Sequence, residues 1–351
     1  MNTRSLLTLV ISSLLLGSLA FDSGLQSATR ESALSKLAHD MQPGEWAELK
    51  AKRPHRLMQV FVGHRDSGKE LWHHIAGWTD DGQWDPKTGQ FLFMGFRKQN
   101  KFIAYSEDSN EWRVLPGPFG WNTPEPGAFE DTRKTGFGHV YGRNALDPEN
   151  GIFYVSFAGY TYAYNLQDGT WSRIRGGSKM SIEYFPGLGL LAHKNRPDKS
   201  KENFPLNLLR PQSGIWEPFT TLPFSGYHSI ARYNPKLDEM IFIAGNDSRA
   251  VVTLTRNGQL NRQKDLPFDM TIRDGQVVVD PNTGLYLIFI LDPRSLYEFN
   301  SQTDQYRRVH DFHPPWGTYE MPVPAAIPEL GIILFVDDKT LLYKHRPSKD
   351  Q

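Results

Sequence analysis

The residues Asp85-Pro86-Lys87-Thr88-Gly89, followed at once by the apolar run Phe91-Leu92-Phe93, set the reading of this chain because the same arrangement returns five more times. Asp147-Pro148-Glu149-Asn150-Gly151 precedes Phe153-Tyr154-Val155, and Phe185-Pro186-Gly187-Leu188-Gly189 precedes Leu190-Leu191. Asn234-Pro235-Lys236-Leu237-Asp238 leads into Met240-Ile241-Phe242-Ile243, and Asp280-Pro281-Asn282-Thr283-Gly284 into Tyr286-Leu287-Ile288. The last copy is Ile327-Pro328-Glu329-Leu330-Gly331 before Ile332-Ile333-Leu334. Each reads as a tight turn between strands: Pro presets one dihedral angle, and Gly or Asp accepts the left-handed position that closes the turn. The prolines lie 62, 38, 49, 46 and 47 residues apart. The mean, near 48 residues, suits a repeating four-stranded sheet and is too long for most helical repeats. A second marker falls 23 to 30 residues after each of the first five prolines, at Trp112, Trp171, Trp216, Leu260 and Tyr306, where a fourth, outermost strand is expected.

Six such units predict an all-β chain, a six-bladed β-propeller over residues 42–345 with a polar tail at 346–351. The sixth unit runs out of chain before its fourth strand. Pro43-Gly44-Glu45-Trp46-Ala47-Glu48-Leu49 reads like Gln212-Ser213-Gly214-Ile215-Trp216-Glu217-Pro218. The N-terminal strand is therefore expected to complete the last blade, which leaves no edge strand unpaired. Ahead of it, Leu34, Leu37, Ala38 and Met41 fall at helical spacing, so residues 21–41 are read as a short helical segment covering one surface of the ring. At the start of the chain, Arg4 and Ser5 lead into an apolar run from Leu6 to Gly17, followed by Ser18-Leu19-Ala20. That pattern is read as a signal peptide over residues 1–20. The expectation is a secreted or periplasmic protein with no membrane span in the mature chain.

The chain has 351 residues, with 39 Lys and Arg against 39 Asp and Glu. A formal charge of zero argues against a nucleic-acid or anionic-lipid partner held by general electrostatics. With no cysteine, disulfides, thiolate zinc sites, iron–sulfur clusters and cysteine nucleophiles are excluded. There is no His-Glu-x-x-His helix, phosphate-binding glycine loop or Gly-x-Ser-x-Gly elbow.

Two stretches, Tyr162-Ala163-Tyr164-Asn165-Leu166-Gln167-Asp168-Gly169-Thr170-Trp171 and Ala104-Tyr105-Ser106-Glu107-Asp108-Ser109-Asn110-Glu111-Trp112, carry a Tyr, a turn and a Trp in order. This ending resembles that of the kelch-type, galactose-oxidase-like propellers, over most of the chain from Glu45 onward. The family's glycine doublet is reduced here to single glycines at Gly95, Gly159 and Gly245. The copper-radical oxidase chemistry of some relatives requires a crosslinked cysteine, so its absence excludes that activity.

If the proline turns mark one face of the ring, the irregular stretches 50–77, 116–138 and 193–204 all fall on the other, where extra loops and function accumulate in repeat folds. Nine of the eleven histidines (His55, His64, His73, His74, His139, His193, His228, His310 and His313) lie in segments assigned to that face. Counting back seven to nine positions from each proline gives the mouth of the funnel: Trp78 and Thr79, His139 and Tyr141, Ser178 and Lys179, Tyr227 and His228, Arg273 and Asp274, Tyr319 and Glu320.

Two functions compete. In the first, the funnel binds an acidic saccharide: Trp78, Trp121 and Trp316 stack on sugar faces, Arg and His side chains such as Arg65 fix hydroxyls or carboxylates, and Asp274 and Glu320 are further ligand-binding candidates. In the second, the protein is a polysaccharide lyase. Arg273, Lys179 or a His-bound divalent metal neutralises the uronate, His139 or His228 removes the proton, and Tyr141 or Tyr227 protonates the leaving oxygen. His310 and His313, in His310-Asp311-Phe312-His313, are the candidate metal ligands. Sugar isomerisation or epimerisation, which a kelch-type relative performs, is a third reading, and the broad loop face also suits a protein partner.

Overall fold

In the computed structural model, the described residues are 31–53, 57–64, 67–75, 79, 81–96, 100–118, 140–157, 159–176, 179–194, 203–210, 213–245, 248–270, 275–310, 312–316 and 322–348. Among the described residues one α-helix, α1 (Ala33–Asp40), leads into β1 (Trp46–Leu49) and a two-stranded hairpin of β2 (Gln59–His64) and β3 (Glu70–His74). Blade one follows as β4 (Gln83–Asp85), β5 (Gln90–Phe96), β6 (Asn100–Ser106) and β7 (Glu111–Leu115). Blade two holds β8 (Asn144–Asp147), β9 (Ile152–Phe157), β10 (Tyr160–Asn165) and β11 (Thr170–Arg175). Blade three holds β12 (Lys179–Phe185), β13 (Gly189–Lys194), β14 (Phe204–Leu209) and β15 (Trp216–Leu222). Blade four is β16 (Ile230–Asn234), β17 (Glu239–Ile243), β18 (Val251–Thr255) and β19 (Leu260–Gln263). Blade five is β20 (Gly275–Val279), β21 (Tyr286–Ile290), β22 (Ser295–Asn300) and β23 (Gln305–Val309). Blade six takes β24 (Val323–Ile327), β25 (Ile332–Val336) and β26 (Thr340–Tyr343), and β1 pairs antiparallel with β26 as its fourth strand. The chain is a six-bladed β-propeller closed by its own N-terminal strand.

All six proline turns connect the first and second strands of their blades. In four of the six, the Asp or Asn before the proline fixes the turn. The Asp147 carboxylate accepts from the backbone amides of Glu149 at 2.9 Å and Asn150 at 3.0 Å, and the Asp280 carboxylate accepts from Asn282 and Thr283 in the same way. The Asn234 amide oxygen accepts from the Lys236 amide at 3.1 Å. Such side-chain turns fix the chain where proline cannot donate.

The same turns are tied to one another around the ring. Lys87 Nζ reaches the Glu149 carbonyl at 2.6 Å, Tyr184 Oη donates to the Glu149 carboxylate at 2.7 Å, and Arg256 donates to the Pro186 carbonyl. Asn234 Nδ2 reaches the Gly284 carbonyl at 2.7 Å, Asn282 Nδ2 the Gly331 carbonyl at 2.8 Å, and Trp84 Nε1 the Glu329 carboxylate at 2.5 Å. Each of the six seams thus carries at least one hydrogen bond to a proline turn.

Between blades lie six buried hydrophobic clusters, one per seam. The second strands Tyr286–Ile290 and Ile332–Val336 are buried at every position, because each blade has a neighbour on both faces. By contrast, the outer strand Thr170–Arg175 has no buried residue. Helix α1 is capped by Ser32, whose hydroxyl accepts from the Ser35 amide at 2.9 Å, and it buries Leu34 and Ala38 in the cluster between blades six and one. None of the described helices is long and apolar enough to cross a membrane.

Ring closure rests on four register pairs, from Trp46 with Tyr343 to Leu49 with Thr340. The Trp46 ring stacks on Tyr343 at 4.4 Å and meets Trp316 edge-on at 4.9 Å. Beyond β26, the wholly buried His345 and Glu298 pair at 2.9 Å and anchor the tail to blade five. Burial alone would raise the Glu298 carboxyl, yet hydrogen bonds from His345 and Ser348 hold it below its ordinary value. Trp46→Ala is expected to destabilise the protein by about 3 kcal/mol, and deletion of residues 21–50 to abolish the native cooperative transition. Thermal unfolding followed by near-UV circular dichroism checks both, and an unchanged melting temperature for the deletion would refute closure by β1.

Candidate functional site

Opposite the proline turns, the entry loops of blades two, three and four meet. Strand β12 carries a β-bulge between Met180 and Glu183, with Ser181 in the left-handed region at φ 49°. The Ile182 amide donates to the Gly142 carbonyl at 3.0 Å, and Ser181 Oγ donates to the Ser229 carbonyl at 2.8 Å, so three consecutive blades are joined here. His228, just ahead of β16, is also left-handed at φ 58°. Bulges and left-handed non-glycine residues cost energy and cluster at functional sites.

This backbone brings together three of the residues expected from sequence: Tyr141, Tyr227 and His228. The Tyr227 ring stacks on the His228 imidazole at 4.0 Å and 19°, and Tyr141 meets the same imidazole edge-on at 5.9 Å. Tyr141 is buried at 2% exposure, whereas Tyr227 is 42% exposed and presents an open aromatic face. A side chain at Gly245 would collide with this pair, because an added Cβ would lie 2.3 Å from the His228 carbonyl and 2.5 Å from that of Tyr227. Arg143 donates to the Ser156 carbonyl at 3.2 Å and lies 5.2 Å from the centre of the Phe157 ring. Burial pushes its guanidinium down to about 10, with Tyr227 opposing that shift, so Arg143 remains a cation at neutral pH. Sequence counting missed Arg143, two residues beyond Tyr141. The arrangement offers an aromatic face and an imidazole on which a ring-shaped ligand can stack, with the Arg143 cation close enough to Tyr227 for electrostatic influence.

Of the other expected residues, His139, Arg273, Asp274, Trp78, Trp121, Arg65 and Glu320 lie outside the described residues. Lys179 opens β12 opposite Lys194, and its side chain is likewise not described. Trp316 is not at the mouth: it is 5% exposed in the cluster between blades five and six, against Trp46 and Phe335. Its breadth is used in packing. His310 and His313 are exposed, and among the described residues neither belongs to a convergent group of three ligands.

At the proline-turn end is a cavity of about 300 Å³, rimmed by Pro86, Pro148, Pro186, Pro235, Pro281 and Pro328. On its wall Arg232 Nη1 lies 3.3 Å from Asp81 Oδ2 and 3.9 Å from Glu183 Oε2, while its Nε donates to the Val277 carbonyl at 2.9 Å. Gln83, Glu183, Arg232, Val278 and Ala325 all line this space, each three positions before its proline. That register was the signal, and counting only seven to nine positions back passes over it.

No protein-family profile matches this chain, and no curated protein sequence does. Solved structures similar to it include a chain of a mitotic checkpoint complex, at 10% identity and TM-score 0.49, covering 99% of this chain and 100% of that one. A structural-genomics protein of unknown function from Bacteroides thetaiotaomicron has 14% identity and TM-score 0.49 over 79% of each chain. A chain of a nidogen/laminin complex has 9% identity and TM-score 0.49, over 73% of this chain and 89% of that one. Similarity at that level carries no conclusion about ligand, partner or activity.

His193, on β13, is fully buried, and neither ring nitrogen has a hydrogen-bond partner among the described residues. Phe224 and Phe204 flank it at 5.8 and 6.3 Å. Burial pushes its pKa down to about 3, so the imidazole is neutral in the fold. The unfolded chain, titrating near 6.5, takes up a proton that the fold refuses, so stability falls as pH drops from about 6.5 toward 3. His193→Leu should flatten that fall and add about 1–3 kcal/mol by removing two unsatisfied polar atoms. Melting temperatures in steps from pH 7 to pH 4 test this, and parallel curves for the two proteins would contradict it.

Proposed function

We propose that the protein is a ligand-binding propeller of the kelch-type group, exported under the signal of residues 1–20 to a secreted or periplasmic location. Its ligand is a saccharide, of acidic type, held at the mouth opposite the proline turns. The observation that carries this reading is the half-exposed Tyr227 ring, stacked on His228 by a backbone held in a costly conformation. An aromatic face offered to solvent suits the apolar face of a sugar ring, and the neighbouring Arg143 cation suits a uronate carboxylate. Rigid support of the pair by Gly245 and by the bonded loops of blades two to four lowers the cost of ordering on binding.

A second reading rests on the contact between an imidazole and a phenol in that same pair. A lyase removes a ring proton next to a carboxylate and protonates the leaving oxygen. His228 would act as the base, Tyr227 as the acid and Arg143 as the neutralising cation.

Titration of uronate-containing oligosaccharides into the full-length protein, read by calorimetry and by absorbance of the new double bond, separates the two. For binding alone, heat appears without product, and Tyr227→Ala weakens affinity at least tenfold, about 1.4 kcal/mol. Gly245→Ala should abolish binding by displacing the His228 carbonyl. For elimination, His228→Ala loses product while heat of binding persists. Absence of both heat and product across the panel would overturn the saccharide reading.

A further inference from the structure

The hairpin of β2 and β3 is outside the six blades, yet its last residue reaches blade six. Its base is held by Lys101, whose ammonium donates to the Leu57 and Gln59 carbonyls at 2.9 and 2.6 Å. At the far end of β3, His74 Nε2 lies 3.3 Å from Asp337 Oδ1 and 3.3 Å from Asp338 Oδ1, in the turn between β25 and β26. All three ligand atoms fall within 4.8 Å of one another. The His74 side chain is 11% exposed, while those of Asp337 and Asp338 are 25% and 55% exposed. One side of the group is therefore enclosed by protein and the other is open.

The spacing is informative. A protonated imidazole bonded to a carboxylate closes to roughly 2.7–2.9 Å, and it does so with the oxygen on the axis of its N–H. Here one nitrogen is equally distant from two oxygens of adjacent residues, at a separation longer than that. Ligands bound about 2.1 Å from a common ion and subtending about 90–110° stand roughly 3.0–3.4 Å apart. The 3.3 Å separation falls in that range for both oxygens. One imidazole and two carboxylates form a mixed nitrogen and oxygen set, suited to zinc or manganese rather than to calcium, with the remaining positions open to water on the exposed side.

We infer that His74, Asp337 and Asp338 form a binding site for a single divalent transition-metal ion, which clamps the inserted hairpin to blade six. It lies on the same face as the Tyr227 mouth, but its residues are separate from that site, and the inference does not depend on the saccharide reading. Such an ion joins two segments far apart in sequence, and it stabilises the fold by binding the native state alone.

The test uses the full-length protein after chelator treatment, titrated with Zn²⁺, Mn²⁺ and Ca²⁺ by calorimetry and followed by thermal melting. The expected result is one Zn²⁺ or Mn²⁺ per chain, a melting temperature that rises with ion concentration, and a response to Ca²⁺ at least tenfold weaker. His74→Ala should abolish both signals. Asp338→Asn, at the more exposed ligand, should keep the apo melting temperature and weaken binding at least tenfold, which covers the case in which His74→Ala fails to fold. A His310→Ala/His313→Ala double variant should bind as the wild type does. Substituting Co²⁺ should give a visible absorption spectrum that Asp338→Asn alters. Absence of binding at millimolar ion, or binding unchanged in Asp338→Asn, would overturn the site and leave an ion pair in its place.

Discussion

Every other feature of this molecule depends on each blade having an apolar partner on both of its faces. Second strands such as Tyr286–Ile290 are buried at all positions, which is favourable only if no blade is terminal. An open array would expose one face at each end. The chain meets this constraint by spending its first strand on its last sheet, with Trp46 stacked on Tyr343 across the join. The helix before it buries Leu34 and Ala38 in the neighbouring cluster, between blades six and one. Closure is thus a packing requirement first, and the hydrogen bonds of β1 with β26 follow from it.

The two mouths of the ring use their polar groups differently. At the proline turns, Asp and Asn side chains satisfy local amides and reach across the seams, so that mouth is mostly committed to holding blades together. At the opposite mouth, the connections carry the irregular backbone: the bulge at Ser181, the left-handed His228 and the close approach at Gly245. A rigid frame at one end permits strained geometry at the other, since the strain is small beside the burial in six seams. Recognition is expected where the backbone is costly and a ring such as Tyr227 is left half exposed.

The architecture was legible in the sequence because its determinants are local and repeated. A Pro with Gly or Asp closing the turn three residues on, led by Asp or Asn in four of the six copies, is a short-range signal, and it recurs often enough to count blades. The closing strand was legible too, because Trp46 and Trp216 follow the same kind of turn. Side-chain destinations were less so. Trp316 looked like a ligand platform from its place in a loop, but packing between blades five and six claimed it. Arg232 was invisible as a channel residue because its role depends on Asp81 and Glu183 from two other blades. The contact between His74 and the aspartates of blade six joins residues some 260 positions apart, and no local pattern announces it.

That contrast bears on how a divergent propeller changes function. The turns and seams that specify the ring occupy fixed registers within each repeat, so they constrain sequence at those positions in all six blades. The entry loops sit outside that register, so their composition is set blade by blade rather than by the repeat. Tyr141, Tyr227 and His228 come from two such loops, and they meet where blades two and four flank the bulge of blade three. The bulge therefore does for the site what the closing strand does for the ring. It fixes the relative height of neighbouring entry loops, and with it which side chains can touch the same ligand.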